Sequence, residues 1–154
     1  MEKLHAIPGR VMNSAVATPD SEAPVGKVMT KELVTLKVDD TLRLADDMLN
    51  LAHVRHFPVF EGSRVVGVIH QSDLLHASMA SLIRHPNDSP RAALGTVVVK
   101  DVMKPATMVS SDVSVRAAAG IMVDRGVECL LVVEDEKLLG LVSRTDLLRA
   151  LAQR

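Results

Sequence analysis

The sequence predicts a mixed α/β fold of the α+β kind, two β-α-β-β-α repeats packed sheet to sheet with pseudo-twofold symmetry. Three observations predict it. The second half of the chain repeats the first: Val28-Met29-Thr30 and Val102-Met103-Lys104 open the copies, at positions 28 and 102. The run Gly67-Val68-Ile69-His70-Gln71-Ser72-Asp73-Leu74-Leu75 closes one copy, and Gly140-Leu141-Val142-Ser143-Arg144-Thr145-Asp146-Leu147-Leu148 closes the other. Within each copy, short β-prone runs alternate with stretches whose apolar residues recur every three or four positions. The helices cover one sheet face, which leaves the other copy to cover what remains.

The elements follow in the same order twice. Residues 1–24 carry Pro8, Gly9, Pro19 and Pro24 among small polar residues and keep no lasting period, so an extended leader is expected. The first repeat spans 25–78. Gly26 to Thr30 suits a short turn and Val34-Thr35-Leu36 a brief strand. Asp39-Asp40 is expected to start a helix, because a capping carboxylate accepts orphan N–H groups and suits the positive end of the dipole. Leu42, Ala45, Leu49 and Ala52 give that helix one apolar face. Phe57-Pro58-Val59-Phe60 and Arg64 to Ile69 read as a hairpin, turned at Glu61-Gly62-Ser63 where Gly tolerates positive φ. Ser72-Asp73 is expected to cap a helix through Leu74, Leu75, Ala77, Met79 and Leu82.

Residues 79–95 read as the linker, since His85-Pro86-Asn87-Asp88-Ser89-Pro90 is dense in breakers. The second repeat, 96–154, begins with Val97-Val98-Val99, a further strand or the approach to the copy. Met108-Val109 is a short strand, and Asp112 or Ser114 starts a helix carrying Val115, Ala118, Ala119 and Met122. Cys129 to Val133 and Lys137 to Val142 form a hairpin around Glu134-Asp135-Glu136, and Thr145-Asp146 caps the last helix through Leu147, Leu148 and Leu151.

Composition narrows the function classes. The 154 residues are 47% hydrophobic and 24% charged, an ordinary globular balance. Phe57 and Phe60 are the only aromatics beside histidine, so the core must be Val, Leu, Ala and Met, and stacking platforms for single-stranded nucleic acid are lacking. A net charge of −1 lacks the basic excess that phosphate backbones require, so no nucleic-acid partner is expected. Cys129 is the single cysteine, which excludes an internal disulfide and most cysteine-based metal motifs. No apolar run approaches the roughly 18 residues of a membrane helix, and Met1 to Pro8 lacks a signal-peptide core. A cytoplasmic protein with no membrane partner is expected.

The chemistry concentrates at the two strand-turn-helix corners, Gly67 to Asp73 and Gly140 to Asp146. Glycine there lets another backbone or a ligand approach closely. The hydroxyls of Ser72, Ser143 and Thr145 can bind oxyanions, and a helix N-terminus offers unpaired N–H groups to phosphate. The carboxylates of Asp73 and Asp146 can accept the two bonds a ribose diol presents. One such corner would read as a helix cap alone; the same corner at the same place in both copies favours a binding role.

The ordered set Val-Met-Thr, Thr-Leu-x-x-Ala, His-Phe-Pro-Val and Gly-Val-Ile-x-x-Ser-Asp-Leu, present twice, resembles the cystathionine-β-synthase (CBS) domain. The chain looks like a tandem pair, a Bateman module, over about residues 25–78 and 96–154. The resemblance implies two clefts between the repeats that take an adenosine-containing ligand: AMP, ADP, ATP or S-adenosylmethionine. It implies that Asp73 and Asp146 hold the ribose, and that Ser72, Ser143 and Thr145 contact ribose or phosphate. It places adenine against Val34, Thr35, Val54 and His56 in one copy, and against Val109, Val127 and Cys129 in the other. Arg144 is implied to reach phosphates of the opposite cleft. The family also suggests a homodimer and a separately encoded enzyme or transporter as the regulated target, with no obligatory cofactor.

The copies depart from the pattern unequally. His70 stands where Ser or Thr is usual and where the second copy has Ser143; Leu131 matches Pro58; Glu128 matches Arg55 and is expected to repel a nearby phosphate. His70 is a candidate phosphate contact whose affinity would rise on protonation. His53 and His56 are spaced as His-x-x-His, but a metal would need a third converging ligand, and both suit a helix end instead, so no metal site is assigned. Met29 and Met103 are expected as adaptable filler between the copies, and Cys129 as a small buried strand residue. No nucleophile-base pair, paired carboxylates or Gly-Lys-Ser/Thr phosphate loop is visible, so no enzyme is expected. The reading is a stand-alone regulatory module that binds an adenosine-type ligand. The alternatives are a dimerising adaptor with empty clefts and, further off, a metal-binding protein or slow nucleotide hydrolase.

Overall fold

The computed structural model describes residues 21–152, so most of the expected leader lies outside the described residues. Two small sheets carry the fold. The first holds strands β1 (Leu36–Lys37), β2 (His56–Glu61), β3 (Arg64–His70) and β4 (Lys104–Pro105) in that order. The second holds β5 (Met108–Val109), β6 (Cys129–Glu134) and β7 (Lys137–Ser143). β1 runs parallel to β2 and β5 parallel to β6, each after a connection through a helix, and both hairpins are antiparallel. A bulge interrupts each hairpin at matching places, Val59/Phe60 and Val132/Val133.

The helices are α1 (Leu42–Ala52), α2 (Gln71–Arg84), α3 (Pro90–Leu94), α4 (Val115–Arg125) and α5 (Arg144–Ala152), with 3-10 turns at Val25–Lys27 and Val99–Asp101. Three starts differ from the sequence expectation. Thr41, not Asp39-Asp40, caps α1 through its side chain, while Asp40 accepts the Lys37 N–H at 2.7 Å. α2 begins at Gln71 with His70 in the cap position, ahead of the Ser72-Asp73 cap that the sequence implied, because Asp73 reaches back to the strand end. α5 begins at Arg144, for the same reason acting through Asp146 and Ser143. Ser114 caps α4, one of the two expected starts.

The stretch expected as linker is partly helical. α2 runs on to Arg84, and Ser89 caps α3 with Pro90 at its first position, where a missing N–H costs nothing. Both hairpin turns use left-handed backbone: Gly62 at φ 61°, and Asp135 and Glu136 at 48° and 62°. Val34 and Thr35 precede β1 rather than forming it, and Val98 makes a lone bridge to Thr41.

The packing is crosswise. A core of Phe57, Leu36, Leu42, Val59, Ile69 and Leu74 lies under the first sheet, and Val99, Val102 and Met103 from the second repeat complete it. The core under the second sheet, Leu130, Val132, Val142, Val115 and Met122, is completed by Val25, Val28 and Met29 from the first. Thr30 bridges Leu141, and β4 pairs with β3. The two sheets meet through Val65, Val68, Cys129, Leu131 and Leu141, as the sequence predicted. Each such large aliphatic contributes about 1.5–3 kcal/mol when fully buried.

The corner glycines serve this exchange. A Cβ on Gly67 would lie 2.8 Å from the Lys104 carbonyl oxygen and from Met103 Sδ. One on Gly140 would lie 2.8 Å from the Thr30 carbonyl oxygen and 2.6 Å from Met29 Sδ. The close approach the sequence required is therefore by the backbone of the other repeat, and the two methionines fill the gap between copies as expected.

Candidate functional site

Each hairpin ends where the following helix starts, so both corners come to the interface between the repeats. At the first, Asp73 is buried and its Oδ2 accepts the His70 N–H at 2.8 Å, with His70 Nδ1 at 3.3 Å; its Oδ1 lies 3.1 Å from Lys104 Nζ. At the second, Asp146 Oδ2 accepts the Ser143 N–H at 2.8 Å and the Ser143 hydroxyl at 2.9 Å. Both carboxylates thus brace the first turn of their own helix. Asp146 Oδ1 is less committed, 3.7 Å from Arg149.

A cleft of about 930 Å³ is shared by both repeats. Gln71 and Ser72 from the first turn of α2 line it, as do Arg144 and Thr145 from the first turn of α5. Two positive helix ends therefore border one space. Arg55, Arg91 and Arg144 add guanidinium groups, and Leu49, Leu74, Leu75, Pro90 and Leu94 form an apolar wall. Arg91 is paired with Asp47, which raises the guanidinium's pKa and lowers that of the carboxyl. Glu128 pairs with Arg144 beside it in the second repeat, so its charge is balanced rather than facing a ligand alone. Arg55 makes no ion pair among the described residues.

Of the site residues expected from sequence, His56, His70, Ser72, Ser143, Arg144 and Thr145 line this one cleft. Val127 and Cys129 line a smaller hollow of about 170 Å³ on the other side of His70. Asp73 lies instead on a hollow of about 600 Å³ with His76, Arg84, Thr96 and Asp101. Val34 and Val54 pack on the first core and Val109 on the second; with Thr35 and Asp146 they line none of these spaces. Sequence reasoning missed Asn50, Arg55, Gln71 and Arg91, among others, as cleft residues.

The histidines separate. His53 ends α1 in a left-handed conformation, at φ 53°. His56 opens β2 and His70 closes β3, so the register sets them side by side, rings edge to face at 5.1 Å. Burial, then the neighbouring His70, depresses the His56 pKa to about 4. Cys129 is buried, as expected, and burial, then Glu128, pushes its thiol up to about 12. Burial therefore favours the neutral thiol at neutral pH.

The family model of the CBS domain matches residues 25–80 and 99–153. A curated relative, an uncharacterised 33.4 kDa protein in a ribosomal RNA operon of Thermofilum pendens, is 28% identical over 140 residues, 90% of this chain. The chain spans about half of that relative's length, 47%. Among solved structures, CBSX2 in complex with AMP is 26% identical with a TM-score of 0.67, covering 82% of this chain and 94% of the other. The CBS domain of a bacterial CNNM/CorC family Mg2+ transporter in complex with ATP has a TM-score of 0.71 at 23% identity, over 85% and 88%. No helix among the described residues is long and apolar enough to cross a membrane.

Proposed function

The chain belongs to the CBS domain family, as a tandem pair of repeats, and from that membership we propose that it is a regulatory module binding an adenosine-containing ligand between them. The carrying observation is the shared cleft, where the first turns of α2 and α5 converge with Arg55 and Arg144. Phosphate sits at that polar end, held by the two helix N-termini and the hydroxyls of Ser72, Ser143 and Thr145. The purine lies against Leu49, Leu74 and Leu94. AMP, ADP, ATP and S-adenosylmethionine are the candidate ligands, and the AMP and ATP of the two solved neighbours support those two.

Regulation, not catalysis, suits this arrangement. Both corner carboxylates are bound into helix caps, and a ligand touching both repeats biases their relative placement by its differential affinity. A separately encoded enzyme or transporter is the target class, and the cytoplasm the compartment. The module works as a homodimer. Leu75, Met79 and Ile83, four residues apart on one face of α2, are 60%, 57% and 80% exposed, and Leu148 of α5 is 67% exposed. That apolar ridge is the surface a second copy would cover.

Calorimetric titration with the four ligands tests the reading. At least one binds with a Kd below about 1 mM, and Arg144→Ala weakens it roughly tenfold or more. Failure of all four to bind in that range refutes it.

A further inference from the structure

We propose that His56, His70 and Cys129 form a binding site for a zinc-class transition-metal ion that ties the first repeat to the second. Their donor atoms all lie within 4.8 Å of one another. Cys129 Sγ is 3.7 Å from His70 Nε2. In a tetrahedral zinc site the sulfur-to-nitrogen edge is about 3.6 Å, from metal–ligand bonds of roughly 2.3 and 2.05 Å. Two of the three donors are therefore already at metal-binding separation.

The orientation of His70 is fixed by what lies behind it. Asp73 Oδ2 stands 3.3 Å from Nδ1, and the tautomer that carries its proton on Nδ1 and donates to this carboxylate has its Nε2 lone pair on the side of Cys129. A carboxylate behind a ligating imidazole is the outer-shell arrangement that sets the tautomer and strengthens the ligand. His70 and Cys129 are buried and His56 half-buried, so the donors are held by packing rather than on mobile side chains.

The repeat explains why three donors meet. The register pairs His56 with His70 in the first sheet and Cys129 with Ser143 in the second. These are the same two positions of the repeat, used twice, and three of the four have become metal donors. Ser143 is the exception, its hydroxyl donating to Asp146. The sequence gap from 70 to 129 hid Cys129 as a partner of the histidines, and His53 of the His-x-x-His spacing takes no part in the site.

A thiolate with two imidazoles selects Zn²⁺ and its borderline-soft relatives over Mg²⁺ and Ca²⁺, which take oxygen ligands. Three protein donors leave a fourth position. His56 and His70 line the large cleft, and His70 and Cys129 the small one, so solvent or a cleft ligand can fill it. The site stands independently of the adenosine reading.

The test uses the 154-residue chain, stripped with a chelator and titrated with Co²⁺ and then Zn²⁺. One Co²⁺ binds per chain, with the near-ultraviolet thiolate-to-cobalt charge-transfer band and intense visible bands of a tetrahedral site. Zn²⁺ displaces it and raises Tm by roughly 5–10 °C at a hundredfold excess over Kd. Cys129→Ser abolishes the charge-transfer band while far-UV circular dichroism stays native, His56→Gln weakens binding at least about tenfold, and His53→Gln changes nothing. Absence of the band in the unaltered chain overturns the site. So does undiminished stoichiometric binding by the Cys129→Ser chain, or an equal loss from His53→Gln.

Discussion

Glycine shows most plainly how one residue's meaning depends on its surroundings. Gly140 sits against the Thr30 carbonyl and Met29, whereas Gly120, inside α4, would have its Cβ in open space. Gly140→Ala is expected to lower stability by about 1–3 kcal/mol, because the backbone oxygen in its way cannot rotate aside. Gly120→Ala is expected to raise it by about 0.5–1 kcal/mol, by removing conformational freedom from the unfolded chain. Urea titrations followed by far-UV circular dichroism will read both, and equal signs for the two would contradict the crosswise packing. The corner residues Ser72, Asp73 and Asp146 were legible as helix-start chemistry, but the true first residues were not. That choice depends on a carboxylate reaching back three positions, which competes with capping by the residue just ahead of it.

Among the elements, α2 carries two roles on two faces. Leu74 is buried in the first core, while Leu75, Met79 and Ile83 form the exposed ridge. Apolar periodicity announced the helix, yet periodicity alone did not tell the core face from the ridge. Ile83→Lys places a charge at the most exposed point of that ridge. Light scattering is expected to give twice the 16.6 kDa chain mass for the unaltered protein and about half of that for the variant, with helix content unchanged. A monomeric unaltered chain at micromolar concentration would remove the dimer. α3 was hidden by its own signals, since Pro90 and Ser89 mark a linker and a helix start equally well.

For the whole molecule, the exchange of opening segments makes the two halves one folding unit. Val25 and Met29 pack in the second core, and Val99 and Met103 in the first, so neither core closes without the other repeat. Chemical unfolding is expected as a single transition, superimposable by far-UV circular dichroism and by hydrogen exchange of β2 and β6. Two separated transitions would show that the repeats fold alone. The sequence by itself determined the duplication, the order of elements, the sheet-to-sheet packing and the CBS family, because each is written in local periodicity and in motifs that recur in register. Only the tertiary structure decided which repeat completes which core and that one cleft gathers both helix starts. It alone brought His56, His70 and Cys129 together. Those are contacts between residues far apart in the chain, and no local preference encodes which of many distant partners a side chain will meet.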